Sequence, residues 1–206
     1  MNHKVNSVAA LHESALKLNR EQVQGATENS AATIMKKLKE GVEILKSSWQ
    51  GMDAGTQINN VVIVYNAMAK VKNLLAGLSV ATSRIASNYR GIQRSNGANL
   101  EDLSPIPEDA PEVLMEEYSD TRDTVSITSE ALNGKAKIDE ANNLMDGFLN
   151  DVNRIFNEIM DNWQDGEGRP AINKAFEEFT QNSNNYKELL DKASQSIATA
   201  LQNYGM

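Results

Sequence analysis

The sequence predicts an all-α protein in which two tandem helical hairpins pack as a four-helix-bundle-like pseudo-dimer. Long stretches carry apolar residues every three or four positions, which is the helical period. The 4 prolines and 12 glycines are few and cluster between these stretches. Trp49 and Trp163 each lie in such a break, 114 positions apart in a 206-residue chain, so each half has its own tryptophan bend.

Two helices are expected before the first tryptophan. The first spans about 5–22, and Gly25 and Thr27 are candidates for its interruption. Its approximate apolar face comprises Val5, Val8, His12 and Ala15. The second helix spans about 28–48 and has a clearer stripe, with Lys and Glu on its other face. The stripe residues are Ile34, Leu38, Val42, Leu45 and Trp49.

A longer helix is expected at about 57–94, after a break at 51–55. Its 38 residues would form a rod of about 57 Å. A helix of that length without a wide apolar face is typical of a coiled-coil-like bundle. Its stripe consists of Ile58, Val61, Tyr65, Met68, Val71, Leu75, Leu78, Ile85, Tyr89 and Ile92.

The linker between the halves is expected at 96–111, which holds three of the four prolines and many turn residues. An acidic stretch continues from it to Asp123. This stretch has two interpretations, a strip that binds a partner or a solvated spacer, and we favour the spacer.

The second half, 112–206, repeats the organisation of the first half, 1–95. A helical stretch is expected at about 112–132, with Asn133 and Gly134 as a candidate interruption. The next stripe ends at Trp163 and contains Ile138, Ala141, Met145, Phe148, Val152, Ile155 and Ile159.

A second break follows at 164–169, and Pro170 occupies the beginning of the last helix, where proline is tolerated. The stripe of that helix contains Ile172, Phe176, Phe179, Tyr186, Leu190, Ala193, Ile197 and Leu201.

The charge of the chain differs between its halves. Residues 1–100 carry 12 Lys and Arg against 6 Asp and Glu, a net charge of +6. Residues 101–206 carry 8 against 22, a net charge of −14. Opposite charges favour docking of one half on the other. Because the positive half lacks a dense basic run with interleaved aromatics, no nucleic-acid partner is expected.

The residues needed for common catalytic and metal sites are missing from the sequence. There is no cysteine, and the two histidines, His3 and His12, lie near the amino terminus. Zinc-protease, di-iron, phosphate-loop and nucleophile-elbow motifs are absent. We therefore expect no enzymatic activity, catalytic residue, cofactor or metal, and a protein that acts by binding.

The candidate functional residues are Trp49, Gly51, Trp163 and Gly166, at the two bends. Glycine reaches backbone angles that other residues avoid. The indole ring is expected to plug the end of the helix seam, and it has one N–H group that needs an acceptor.

A hairpin of about 100 residues with Trp-x-Gly at its bend resembles the WXG superfamily of small type VII (ESX-like) secretion substrates. The string 48–51, Ser-Trp-Gln-Gly, matches the motif, and 163–166, Trp-Gln-Asp-Gly, matches it with one inserted residue. The resemblance covers nearly the whole chain as two copies. It implies antiparallel hairpins that pair into four-helix bundles, and export without a cleaved signal peptide.

The resemblance also implies the function and the partners. We expect a secretion substrate, or an accessory or targeting partner that binds a toxin or a small WXG-like protein of the same pathway, with a secretion ATPase as a further contact. Some members carry a carboxy-terminal Tyr-x-x-x-[Asp/Glu] signal. This chain lacks it, because Gln93 stands four positions after Tyr89 and Tyr204 lies too near the end.

Localisation and two alternative functions complete the expectations. Residues 1–20 contain no continuous apolar region of the secretory type, so the protein is expected to be secreted without a cleaved signal, or to be cytoplasmic before export. One alternative is a membrane-active, pore-forming helical bundle, but its best segment, 61–80, is interrupted by polar residues. The other is the targeting domain of a larger secreted toxin.

Overall fold

The computed structural model describes residues 7–22, 26–107, 112–164, 166 and 168–206. Val5 and Gly25, named above, lie outside the described residues, as do positions 165 and 167 of the second break. Helices dominate the described chain and its strands are two pairs of residues, which confirms the predicted all-α class. Its elements are α1 Val8–Arg20, α2 Ala31–Ser48, β1 Trp49–Gln50, α3 Met52–Ser95, β2 Ser126–Ile127, α4 Glu130–Asn162 and α5 Arg169–Asn203.

The two halves pack on each other, and their most extensive contact is α2 against α4. The two helices are antiparallel, since Gly41 meets Gly134 while Lys37, earlier in the chain, meets Glu140. Helices α2 with α3, α4 with α5, and α3 with α5 form the other bundle contacts. Helix α1 packs on α3 and α4. The predicted pseudo-dimer of two hairpins in a four-helix-bundle-like arrangement is therefore confirmed.

The predicted stripes form the core of this bundle. Every stripe residue of α2 and α4 is buried. In α3 the stripe is buried as far as Leu78, but Ile85 and Tyr89 are half-buried and Ile92 is 56% exposed. The last turns of α3 lie beside the second bend, where α5 begins.

Asn133 and Gly134 do not interrupt a helix, contrary to the sequence interpretation. Gly134 lies inside α4, where the backbones of α2 and α4 approach closely. A Cβ atom on Gly134 would lie 2.8 Å from Leu45 Cγ, and one on Gly41 would lie 2.9 Å from the Gly134 carbonyl oxygen. The glycine is therefore a contact point between the two halves and not a helix breaker.

The prediction of a helix at about 112–132 was wrong. Residues 112–129 contain no helix, only the short strand β2, and α4 begins at Glu130. In this segment the backbone N–H and C=O groups form hydrogen bonds with other elements and not with the next turn of a helix. Asn66 of α3 bonds both backbone groups of Met115, and β2 pairs with β1.

The expected linker is held against the helices as far as position 107, and residues 108–111 lie outside the described chain. Ser104 Oγ lies 3.2 Å from Nε2 of the buried His12, whose Nδ1 lies 3.2 Å from Ser83 Oγ of α3. Burial lowers the pKa of His12. Arg94 donates to the carbonyl of Leu100 at 2.7 Å. Residues 96–107 are therefore fastened to α1 and α3.

The first bend is shorter than expected, because α3 begins at Met52 and not near 57. Gly55, which the sequence placed in the break, is part of the helix. The backbone of residue 120 passes over it, and a Cβ on Gly55 would lie 2.9 Å from Asp120 N. A glycine inside this helix is thus explained by close approach of another chain segment.

Ion pairs join the positive first half to the acidic second half. Lys17 of α1 lies 2.8 Å from Glu158, and Lys37 of α2 lies 2.6 Å from Glu140, both on α4. These contacts lower the pKa of each glutamate, chiefly through the hydrogen bond from its lysine. The side chains are partly exposed, so the pairs set the register more than they add stability.

Glu21 is a buried acid between α1 and α2. Its side chain is 3% exposed and accepts a hydrogen bond from Thr27 Oγ1 at 3.3 Å. Burial, followed by the charge of Asp151, raises the pKa of Glu21. Its carbonyl accepts the N–H of Ala31, the first residue of α2, at 2.7 Å.

We expect Gly134→Ala to lower the free energy of unfolding by about 1–3 kcal/mol, because the added methyl group overpacks the α2–α4 crossing. Gly91→Ala in α3 is the matched control, since no atom lies within 4 Å of a Cβ there. That change should be neutral or stabilising by up to about 1 kcal/mol. Urea unfolding of both variants measures the difference, and equal effects would contradict the close crossing.

We expect Glu21→Gln to raise the melting temperature at pH 7. Because the folded-state pKa of Glu21 is raised, its ionisation disfavours the folded state once the pH exceeds the unfolded pKa of about 4.3. The glutamine side chain has no charge at any pH, whereas Glu21 becomes protonated at low pH. The gain in melting temperature should therefore shrink as the pH falls towards 4. Thermal melts across pH 4–8 test this, and a gain that did not vary with pH would contradict it.

Candidate functional site

The first tryptophan bend is built on a short backbone ladder between the halves. Trp49 ends α2 in an extended conformation, and its backbone N–H donates to the carbonyl of Leu45. Trp49 and Gln50 pair antiparallel with Ile127 and Ser126. The chain directly before α4 is thereby fixed to the end of α2.

Gly51 adopts a φ of +115°, which side chains rarely allow, and begins α3. Its N–H donates to Asp120 Oδ2 at 2.9 Å. Arg122 also bonds this carboxylate, and its guanidinium donates to Gln50 Oε1 at 2.6 Å. Hydrogen bonds from Arg122 and then Gly51 hold the pKa of Asp120 well below its usual range. An ionised Asp120 also complements the positive end of the α3 dipole.

The indole of Trp49 is fully buried. The ring of Tyr204, from the end of the chain, meets it edge-on with centroids 6.3 Å apart. The Tyr204 hydroxyl donates to Asp53 Oδ2 at 3.4 Å. The carboxy terminus of the second half therefore closes the bend of the first half.

The second bend, after α4, is similarly closed by its own glycines. Trp163 is 1% exposed, and its backbone N–H donates to the carbonyl of Ile159 at 3.0 Å. A Cβ on Gly166 would lie 3.0 Å from the indole nitrogen, and one on Gly168 would lie 3.0 Å from Trp163 Cη2. Gly166 also approaches the Tyr89 hydroxyl of α3. Both bends thus place a tyrosine of the other half against the glycine–tryptophan unit.

The structure does not bring the four predicted residues into one site. Trp49 with Gly51, and Trp163 with Gly166, lie at opposite ends of the antiparallel bundle. Neither indole N–H has an acceptor among the described residues, so the hydrogen bond expected for each ring is not seen there. Both rings are buried at the ends of the helix seams.

A cavity of about 300 Å³ opens beside the second bend. Trp163, Gly166 and Gly168 form one side of it. The other side comes from the end of α3 and consists of Ile85, Asn88, Tyr89 and Ile92. The cavity is mostly apolar, and it adjoins the exposed Ile92, so it can accommodate an apolar side chain from outside.

The sequence interpretation missed three residues that complete the bends, namely Asp120, Tyr204 and Tyr89. The Asp-x-Arg string at 120–122 had a usable signal, since an aspartate is a common acceptor at a helix amino terminus. Its distance of 69 positions from Gly51 concealed the partner. No cluster of three or more metal-ligating side chains exists within the described ranges.

Comparisons with protein-family models, with curated proteins and with solved structures found no match for this chain.

We expect Trp49→Ala and Trp163→Ala each to lower the free energy of unfolding by about 3–5 kcal/mol, because each removes a fully buried ring. Ile92→Ala is the control, as its exposed side chain should cost less than about 0.5 kcal/mol. Denaturant unfolding followed by circular dichroism measures all three. A loss below about 1 kcal/mol for either tryptophan would contradict its role as a plug.

Proposed function

We propose that this protein is a type VII (ESX-like) secretion substrate or accessory partner of the WXG kind, carrying both hairpins of a dimer in one chain. The supporting observation is the pair of tryptophan–glycine bends at opposite ends of an antiparallel bundle. Each has a buried indole and a glycine at positive φ, Gly51 and Gly166. The protein binds a larger helical protein of its own pathway and does not act as an enzyme.

The second bend is the surface that we propose for this partner. The α2–α4 seam is filled within the chain, so a partner must use an outward face. The cavity beside Trp163 offers apolar walls and the exposed Ile92 for a helical partner's side chain. At the first bend, β2 pairs with Trp49 and Gln50, and Tyr204 lies edge-on to the Trp49 ring.

Export in this proposal occurs without a cleaved signal peptide, from a cytoplasmic pool. In this proposal the chain is exported together with its partner. Binding through helix faces fits a chain rich in helical surface and lacking cysteine.

The membrane-active alternative depends on α3. This is the one helix in the described part of the chain that is long and apolar enough to cross a bilayer. Most of its apolar window is buried in the bundle, as in the core helix of a folded domain. Acting on a membrane would require the bundle to open, so this function ranks second.

Co-purification from the native host, with neighbouring genes intact, tests the proposal. We expect a helical partner to co-purify with the wild type and its recovery to fall about tenfold or more for Ile92→Asp, since a buried carboxylate opposes docking. Leu189→Asp is the matched control, as Leu189 is an exposed apolar residue of α5 far from the cavity.

Export of the partner is measured in the same strains. Deletion of the gene should reduce partner export, and the Leu189→Asp variant should restore it while Ile92→Asp does not. A protein that purifies alone, with partner export unaffected by its deletion, contradicts the accessory role. Leakage of dye from anionic vesicles at neutral pH would favour the membrane-active alternative instead.

A further inference from the structure

Residues 112–122, here called the strap, lie extended along α3 and run antiparallel to it. At one end the Glu112 N–H faces Asn73 Oδ1 at 3.4 Å. At the other end Met52 N–H donates to the carbonyl of Arg122 at 3.3 Å. The strap is therefore bound to the side of a helix, without a neighbouring strand over this length.

Asn66 of α3 binds the middle of the strap. Its Nδ2 donates to the carbonyl of Met115 at 2.9 Å, and its Oδ1 accepts the N–H of the same residue at 2.8 Å. One side-chain amide thus satisfies both backbone groups of one strap residue. Such a contact reads an extended backbone and is independent of the side chain that the residue carries.

Asn59, Asn66 and Asn73, the asparagine ladder, repeat every seven residues along α3. Seven helical residues rise about 10.5 Å, and three extended residues span about 10 Å, so the ladder meets every third strap residue. Asn73 faces residue 112 and Asn66 faces residue 115. Asn59 continues this series beside Tyr118, and its buried Oδ1 has no hydrogen-bond partner among the described residues.

Glu112 supplies the side-chain selectivity. Its carboxylate lies 2.9 Å from Lys72 Nζ and accepts the Tyr65 hydroxyl at 3.2 Å. Lys72 is only 6% exposed, so its ammonium group strongly favours an anionic neighbour. Burial and the Glu112 charge raise the pKa of Tyr65 to about 12, which keeps its hydroxyl a donor.

Most other strap side chains point into solvent. Val113 is 80% exposed, Leu114 is 51% exposed, and Glu116 and Glu117 are also exposed. The strap is therefore held by its backbone, by the carboxylates of Glu112 and Asp120, and by the partly buried side chains of Met115 and Tyr118. Another extended segment with a carboxylate at the same register reproduces the contacts of Glu112 and of the Met115 backbone.

We propose that this face of α3 is a binding groove for an extended acidic peptide, and that the strap is its exchangeable resident ligand. The partner segment carries a glutamate or aspartate at the Glu112 register, three residues before the one clasped by Asn66. This inference does not rest on the secretion proposal or on the second-bend cavity.

Opening of the strap is tested in the full chain by hydrogen exchange and by a glutamyl endopeptidase that cuts after Glu116 or Glu117. Asn66→Ala should speed exchange of the Met115 amide and strap cleavage about tenfold or more, because both backbone bonds are lost. Asn88→Ala, at an exposed asparagine of the same helix beside the second bend, is the matched control and should behave as the wild type.

Exchange is tested with a full-length variant in which residues 112–118 are replaced by a Gly/Ser segment of equal length. A fluorescein-labelled peptide of residues 112–122 should bind this variant saturably and the wild type far more weakly. The peptide with Glu112→Gln should bind about tenfold more weakly or worse, because the charge-assisted bond is lost. Adding Asn66→Ala to the Gly/Ser variant should abolish binding.

A fixed structural strap gives different results. In that case the Met115 amide of the wild type exchanges only with global unfolding, and the folded Gly/Ser variant does not bind the peptide. Either outcome overturns the proposal. If the Gly/Ser variant does not fold, the exchange measurements on Asn66→Ala and Asn88→Ala decide, and equal rates for those two variants also overturn it.

Discussion

The contact of α2 with α4 sets the position of everything else in the molecule. Gly41 and Gly134 allow the two backbones to approach, and Lys37 pairs with Glu140 on the same interface. The same register continues beyond the helices, where Trp49 faces Ile127 in the strand pair. A side chain at the glycine crossing would separate the helices, and the closure of the first bend would be lost with them.

The antiparallel order of the halves explains why each bend needs the other half. The first bend is completed by Asp120 and Tyr204 from beyond the linker, and the second faces Tyr89 of α3. A dimer of separate hairpins would form these contacts between chains. Here a covalent linker makes them intramolecular, which removes the concentration dependence of assembly. Different segments close the two bends, and the cavity beside the exposed Ile92 lies at the second.

The fold was largely predictable because helical periodicity is a local signal, and the stripes of α2 and α4 proved to be core residues. The errors concern positions governed by distant contacts. Gly134 resembles a breaker locally, yet it is needed because Gly41 lies opposite. Residues 112–129 have helix-compatible composition, but Asn66 and β1 take up their backbone groups. At the site, the sequence identified the tryptophans and glycines, whereas Asp120 and Tyr204 depend on long-range packing.

Zero-length carbodiimide cross-linking of the native chain, followed by mass spectrometry, tests the docking of the two halves most directly. The structure predicts amide cross-links between Lys37 and Glu140 and between Lys17 and Glu158, whose charged atoms lie 2.6 and 2.8 Å apart. In a mixture of ¹⁴N- and ¹⁵N-labelled protein, both should join residues of the same chain. Absence of both links, or links with mixed isotopes, would contradict the intramolecular pseudo-dimer.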